Sequence, residues 1–469
     1  MTGEAGAAVI EILSIDTPAL GDRSYLATDG QAALVVDPQR DIGRVLDLAA
    51  ARGLRITHVF ETHIHNDYVT GGLALARRTG AAYHVNAADQ VAFDRTPVSD
   101  GDVIPVSAAM RVRVIATPGH TFTHLSYAVE DEATGRVAAV FTGGSLLYGS
   151  TGRPDLLGAV HASELAHAQY ASARRLAGGL PADADVYPTH GFGSFCSATQ
   201  SEGTSSTIGQ QRLVNPVLML DEDRYVAELL AGLDAYPAYY AHMGPANAAG
   251  PAGPDLSPPR RADAAGLRRR ITAGEWVVDL RARRAFAAGH VAGTLSFDLD
   301  GSFATYLGWL IPWGTPLTLL GATPEQIAEA QRELARIGID RPAAAAAGRP
   351  ADWAGGQPLR SFPVADFTDL AAVRHHRPVV ILDVRRDSEW AESHIDGAVH
   401  VPLHELPARL ADVPAGELWV HCRGGYRASV AASILDAAGR AVVAVDDDYD
   451  RAARAGVPVV TGMPAGAAA

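Results

Sequence analysis

One motif occurs twice in the second half of this chain and constrains its fold more than any other feature. Val278-Asp-Leu-Arg281, followed by Phe286, His290 and Gly293, returns as Leu382-Asp-Val-Arg385, followed by Trp390, His394 and Gly397. The spacings from the two Asp residues agree throughout, so this half is a duplicated unit. In each copy an apolar run ends in Asp, a helical pattern follows, and a His-x-x-Gly turn leads into another apolar run. Such alternation predicts an α/β module.

At 469 residues the chain calls for roughly two to four domains. Two Pro/Gly/Ala-rich stretches, Asn247 to Ala265 and Arg341 to Arg360, carry little large apolar surface and read as linkers. They divide the chain into residues 1–246, 262–345 and 361–462, and the tail from Gly462 to Ala469 reads as frayed. In the first piece, Ala33 to Val36, Ile56 to Phe60, Val112 to Ile115 and Val137 to Phe141 read as strands. Gly43 to Arg52, Val69 to Thr79 and Ser163 to Leu176 read as helices, the last capped by Ser163. This piece is also an α/β layered domain.

In the last piece Leu418 to His421 reads as a buried strand running into Cys422-Arg-Gly-Gly-Tyr-Arg427, with a helix from Ser429 to Ala438. A cysteine in a glycine loop at a helix N-terminus meets inward backbone N–H groups and partial positive charge, both of which favour thiolate. Arg423 and Arg427 are expected to add positive charge at the rim. Gly424, Gly425 and Tyr426 would contact the sulfur substrate. These residues resemble a rhodanese over about Phe362 to Val460. The resemblance implies that Cys422 takes up sulfane sulfur and passes it to an acceptor such as sulfite or a thiol, and that Asp383 and Arg385 are structural. The middle copy has Leu317-Thr-Leu-Leu-Gly321 where the last has Trp-Val-His-Cys. It reads as a rhodanese-like module without a nucleophile, serving packing or positioning, with Trp309 and Trp313 as candidates for an active-site entrance.

The first piece holds histidines at strand ends. His63, His65 and Asp67 alternate in Glu61-Thr-His-Ile-His-Asn-Asp-Tyr68, and His120 and His190 each follow a strand. Residues gathered this way can converge on one metal ion. With Phe141-Thr-Gly-Gly144 and Gly152-Arg-Pro-Asp155, they resemble the metallo-β-lactamase superfamily, over roughly residues 9 to 245. Within it they are most similar to persulfide dioxygenases and their glyoxalase-II-like relatives. The implied fold class is α/β multidomain: an αββα sandwich followed by two α/β rhodanese-like domains. The resemblance further implies one Fe(II) per chain on His63, His120 and a carboxylate, Zn being the alternative metal. That carboxylate is missing, because the family's Phe-Thr-Gly-Asp ends here in Gly144, and Tyr68 replaces a second-site histidine of the hydrolases. Asp67, His65, His190 and Asp155 remain as candidate ligands. Cys196, just beyond His190, reads as a second thiol able to hold persulfide sulfur, or else as a packed thiol.

The expected activity is oxidation of a low-molecular-weight thiol persulfide to sulfite, coupled to sulfurtransfer through Cys422 with thiosulfate formed or used. A thioester hydrolase and a persulfide carrier with a degenerate metal site are the alternatives. The net charge of −14 argues against nucleic-acid and anionic-membrane partners. Every one of the 39 basic residues is Arg, which excludes Schiff-base and phosphate-loop lysines. Two cysteines make no disulfide framework, and Met1 to Val9 has no signal-peptide pattern, so a cytoplasmic location is expected. Homo-oligomerisation is left open.

Overall fold

The computed structural model describes residues 10–199 and 203–462. The stretch Met1 to Val9 and the tail beyond Gly462 lie outside the described residues. The chain divides into two compact units, one running to Asp255 and joined by Leu334–Ile339, the other formed by Leu256–Glu333 and the chain from Asp340.

The first unit is a sandwich of two sheets. Six strands, Glu11–Thr17, Asp22–Thr28, Ala32–Val36, Arg55–Phe60, Ala82–Asn86 and Thr96–Val98, lie side by side in sequence order. The second sheet runs Asp185–Pro188, Val137–Gly143, Leu125–Asp131, Met110–Ala116, Val103–Pro105. Tyr25, Leu34, Phe60, Val112, Tyr127 and Phe141 pack between the sheets. A second cluster seats the helices Gly43–Ala51 and Gly72–Thr79 on the first sheet through Val45, Ala49, Leu73 and Ala76. A third seats Ala162–Gly179 on the second sheet through Ala166, Ala173 and Leu176. Three apolar interfaces make four layers, the αββα order expected from the sequence. Helix Ala162–Gly179 begins earlier than the pattern suggests. Its N-cap is His161, without a side-chain cap, and a 3-10 turn at Ala159–His161 leads into it, so Ser163 is not the cap.

The second unit contains two parallel sheets. One has the order Leu295–Ser296, Trp276–Asp279, Leu317–Gly321, Ala344–Ala347. The other runs Val364–Ala365, Val442–Val445, Leu418–His421, Val380–Asp383, Val399–His400. The repeated motif builds the same local structure in both. Arg281 grips Asp279 and Arg385 grips Asp383, each with contacts of 2.7 to 3.1 Å. Phe286 stacks on His290 at 4.0 Å and Trp390 on His394 at 3.9 Å. The register also matches, with Asp279 opposite Leu320 and Asp383 opposite His421, so Gly321 occupies the position of Cys422.

Neither sequence-defined linker is one throughout. Asn247 lies in helix Tyr240–Ala249 and is buried. The second stretch contributes strand Ala344–Ala347 and helix Pro350–Ala354. A run of alanines has weak strand propensity, and it is the pairing with Thr318 to Gly321 that makes it a strand. Among the described residues no helix is long and apolar enough to cross a membrane.

Candidate functional site

In the first unit, loops leaving the strand ends bring four histidines into one buried cluster. His63 and His65 follow strand Arg55–Phe60, His120 follows Met110–Ala116, and His190 follows Asp185–Pro188. All four are essentially inaccessible to solvent. Their hydrogen bonds settle which nitrogen each presents. The Thr62 hydroxyl donates to Asp37 at 2.7 Å, so at 2.9 Å it accepts from His63 Nδ1. His120 Nδ1 donates to the Arg153 carbonyl at 2.8 Å. His190 Nδ1 donates to Asp22 at 2.9 Å and lies 3.2 Å from Asp67. The rings of His63, His120 and His190 are thus held from behind by an acceptor, with Nε2 facing away from it. His63 Nε2 and His190 Nε2 stand 3.5 Å apart, and His120 Nε2 is buried with no hydrogen-bond partner among the described residues.

Burial acts on these rings first. It pushes the His63 pKa well below the usual imidazole value, and with His190 nearby it brings His120 down to about 3. Both therefore keep their lone pairs at neutral pH. His190 is held up to about 9, because the carboxylates of Asp67 and Asp22 outweigh burial. Asp22 is raised by burial and by the charge of Asp67, whereas Asp67 is lowered because His190 overcomes burial.

His65 is turned the other way. Its Nε2 lies 3.2 Å from Asp37, 3.3 Å from Glu61 and 3.0 Å from the Tyr68 hydroxyl. Against burial, Asp37 and Glu61 raise its pKa well above the ordinary value. Its Nδ1 makes no hydrogen bond among the described residues and faces Asp67 at 3.9 Å. Tyr68 stands where a second-site histidine is expected, and its hydroxyl is engaged with His65 and lies 3.3 Å from the Asp37 carbonyl.

A metal ion fits this donor set. Ligand atoms of His63, His65 and His190 lie within 4.8 Å of one another, as do those of His120, His190 and Cys196, and those of Asp22, Asp67 and His190. Asp155 is a correction to the sequence reading. Both its oxygens are taken by Arg153 at 2.7 Å, and it joins no such grouping among the described residues. Gly144 leaves no gap to fill either. A Cβ there would overlap the His120 ring, lying 2.6 Å from Cγ, and the Gly144 N–H donates to His124 Nε2 at 3.0 Å.

Three supporting residues escaped the sequence reading. Asp22 orients His190. Asp37 adopts a positive φ of 50° and ties Thr62, Thr189 and His65 together. Asn247 donates to the His65 and Tyr68 carbonyls at 2.8 Å and accepts from Thr70 N–H at 2.9 Å, bracing the ligand loop. Asp37 follows a strand, as the histidines do, so the same signal could have found it. Asp22 and Asn247 carry no comparable mark.

In the second unit Cys422 directly follows strand Leu418–His421, at the carboxyl end of a parallel sheet where such folds bind ligands. Its Sγ accepts the N–H of Gly425 at 3.2 Å and of Ala428 at 3.4 Å, at the start of helix Tyr426–Ala437. Gly425 has φ +88°, and a Cβ there would overlap the Asp446 carboxylate, which Arg283 holds at 2.8 Å and Arg284 at 2.5 Å. The middle module thereby braces the cysteine loop. Tyr426 adds to this, donating to the Asp298 carbonyl at 3.2 Å.

Only Arg423 lies at the rim. Its side chain is 61% exposed and 3.8 Å from Asp450. Arg427 is buried instead, in a two-pronged pair with Glu389 at 2.5 and 2.7 Å. Burial works to raise the Glu389 carboxyl, but Arg427 overcomes it and holds the pKa at about 2. A small cleft beside Arg427 is lined by Tyr306, Trp309, Val384, Arg386 and His404. Trp309 does line a cleft here, while Trp313 lies outside it and is exposed.

Comparison with known proteins follows the same division. The metallo-beta-lactamase superfamily matches residues 19–190, and the rhodanese-like domain matches residues 366–454. Human mitochondrial persulfide dioxygenase ETHE1 is 29% identical over 210 residues, covering 44% of this chain and 72% of that protein. Hydroxyacylglutathione hydrolase of a Polaromonas species is 33% identical over 162 residues, covering 34% of this chain and 57% of the hydrolase. The chain spans about half the length of the hydrolases it matches. Among solved structures, a metallo-beta-lactamase from Staphylococcus aureus aligns over 73% of this chain and all of its own, with TM-score 0.65 and 25% identity. The chain therefore joins a metallo-β-lactamase-fold domain, with ETHE1-like relatives, to a C-terminal rhodanese-like domain.

Proposed function

We propose that this chain oxidises a low-molecular-weight thiol persulfide to sulfite in its first unit and transfers sulfane sulfur through Cys422 in its second. The observation that carries the reading is the presence, in one chain, of a buried cluster of strand-end histidines, with His63 and His190 Nε2 3.5 Å apart, and of a cysteine cradled by two backbone N–H groups. His63, His120 and His190 would hold one metal ion, with His65 and Asp67 beside them, and we take it to be Fe(II). When bound, it would supply an electron-accepting, redox-capable centre for sulfur and dioxygen. The chain's own part is to fix the imidazole tautomers through Thr62, Arg153 and Asp22 and to exclude bulk water around buried histidines.

Persulfide, dioxygen and water give the thiol, sulfite and two protons. The sulfane sulfur loses four electrons, and dioxygen takes them up. At Cys422 the thiolate attacks the sulfane sulfur of a second persulfide. The S–S bond breaks, the small thiolate leaves, and Cys422 holds the persulfide. Sulfite then attacks that terminal sulfur, releasing thiosulfate and restoring the thiolate. The N–H groups of Gly425 and Ala428 stabilise the sulfur anion before and after each transfer. The middle module holds the cysteine loop through Arg283, Arg284 and the Asp298 carbonyl.

A thioester hydrolase of the glyoxalase-II type is the second reading, favoured by the hydroxyacylglutathione hydrolase relatives. A two-metal hydroxide site is poorly served here, because Tyr68 is tied to His65 and Gly144 has no carboxylate. Full-length protein purified without oxygen should carry about one metal per chain and consume dioxygen on glutathione persulfide. Cys422→Ser should keep that uptake and lose thiosulfate:cyanide sulfurtransfer. Absence of metal and of dioxygen uptake rules out the oxidation, thioester cleavage in its place favours the hydrolase, and sulfurtransfer by Cys422→Ser rules out the role of Cys422.

A further inference from the structure

The cluster of histidine Nε2 atoms needs an anion, and the position that should provide one is closed. Gly144 ends the segment after strand Val137–Gly143, and the His120 ring fills the space a side chain would take. None of the other acids groups with His120 among the described residues. Asp155 is paired with Arg153. Asp37 and Glu61 lie on the Nε2 side of His65. Asp22 and Asp67 group with His190 and lie against its Nδ1, and both Asp67 oxygens are buried without a hydrogen bond among the described residues.

Cys196 has the placement those acids lack. It is fully buried, and its Sγ lies within 4.8 Å of ligand atoms of both His120 and His190. His120 Nε2 is an independent sign of a ligand at this spot, being buried and without a hydrogen bond among the described residues. One residue, Arg153, sets both groups. The Arg153 carbonyl accepts from His120 Nδ1 at 2.8 Å, and the Arg153 N–H donates to the Cys196 carbonyl at 2.8 Å. The Cys196 N–H is fixed in turn by the Ser194 hydroxyl at 3.2 Å. A ligand pair held through a shared backbone residue is preorganised.

We propose that Cys196 is a metal ligand, its thiolate supplying the negative charge absent at Gly144. The inference rests on the metal-centre reading above. As the sulfur–metal bond forms, the thiol proton leaves to solvent and no electron is transferred. A soft thiolate beside imidazoles favours Fe(II), Zn(II) or Co(II) over hard oxygen-seeking ions.

Cobalt(II) loading of the full chain tests this without recourse to activity. Wild-type protein and Cys422→Ser should both show a thiolate-to-cobalt charge-transfer band in the near ultraviolet. Cys196→Ser should lose that band and keep the visible cobalt transitions. X-ray absorption on Cys422→Ser, which leaves residue 196 untouched, should show one sulfur at about 2.3 Å. Cobalt bound with no sulfur signal, or a signal that survives in Cys196→Ser, overturns ligation by Cys196 and leaves the histidine centre standing. Wild-type protein that binds no stoichiometric cobalt overturns both.

Discussion

Replacing Glu389 with Gln should expose how tightly the cysteine loop depends on one buried ion pair. Glu389 and Arg427 meet through two contacts of 2.5 and 2.7 Å, with side chains only 11% and 10% exposed. The carboxyl has a pKa of about 2 in the folded protein against an ordinary 4.5. A difference of about 2.5 units corresponds to about 3 kcal/mol. That agrees with the roughly 3–5 kcal/mol lost when one partner of a buried pair is removed. The sign follows from the direction of the shift. A depressed carboxyl stabilises the fold fully above the unfolded value of 4.5, and the contribution is lost as pH falls toward about 2. The linkage relation leaves about 1.4 kcal/mol at about pH 3. A global melt would mix two units, so hydrogen exchange in helix Tyr426–Ala437 is the better measure. The opening free energy of its amides should fall by about 3 kcal/mol in Glu389→Gln at neutral pH, with the gap narrowing to about half near pH 3. A gap below about 1 kcal/mol at neutral pH, or one independent of pH, would refute the reasoning.

Other substitutions test the two sites separately. Gly144→Asp restores the carboxylate of related proteins, yet it must displace His120, so metal affinity should drop by at least about tenfold; a rise in bound metal would show that the ring yields. Asp22→Asn should weaken metal binding by about 10–100-fold by loosening His190, whereas Asp155→Ala should leave it unchanged; equal effects in a chelator competition would return Asp155 to the site. Gly425→Ala meets both a positive φ and the Asp446 carboxylate, so it should cost about 1–3 kcal/mol and most of the sulfurtransfer activity. Gly424→Ala, with nothing within 4 Å of its Cβ, is the control; similar losses in both would mean that the strain at Gly425 is not the cause.

Local chemistry explains which parts were legible beforehand. The Asp-x-Arg pair and the aromatic–histidine stack form within about a dozen residues, so their spacing shows in the chain and repeats faithfully in both copies. The Cys422 loop is equally local, being a strand end, a short turn and a helix start. By contrast, the strand Ala344–Ala347 has no side-chain signature, and only its partner at Thr318 to Gly321 makes it a strand. Asn247 sits in a composition typical of linkers, yet it braces a loop some 180 positions earlier in the chain. Asp155 follows a motif that suggests a ligand, but Arg153, two residues away, claims it.

The sequence by itself determined the α/β character of the chain, the strand-end histidines and the single cysteine of the repeated half. These depend on periodicity, turn residues and side-chain type, which the order of residues states directly. Tertiary structure alone decided which nitrogen each histidine presents, that the His120 ring closes the space at Gly144, and that Arg427 is paired with Glu389. It alone brought Cys196 to His120 and His190. Those outcomes depend on distances between segments far apart in the chain, where a change of about an ångström turns a ligand into a bystander.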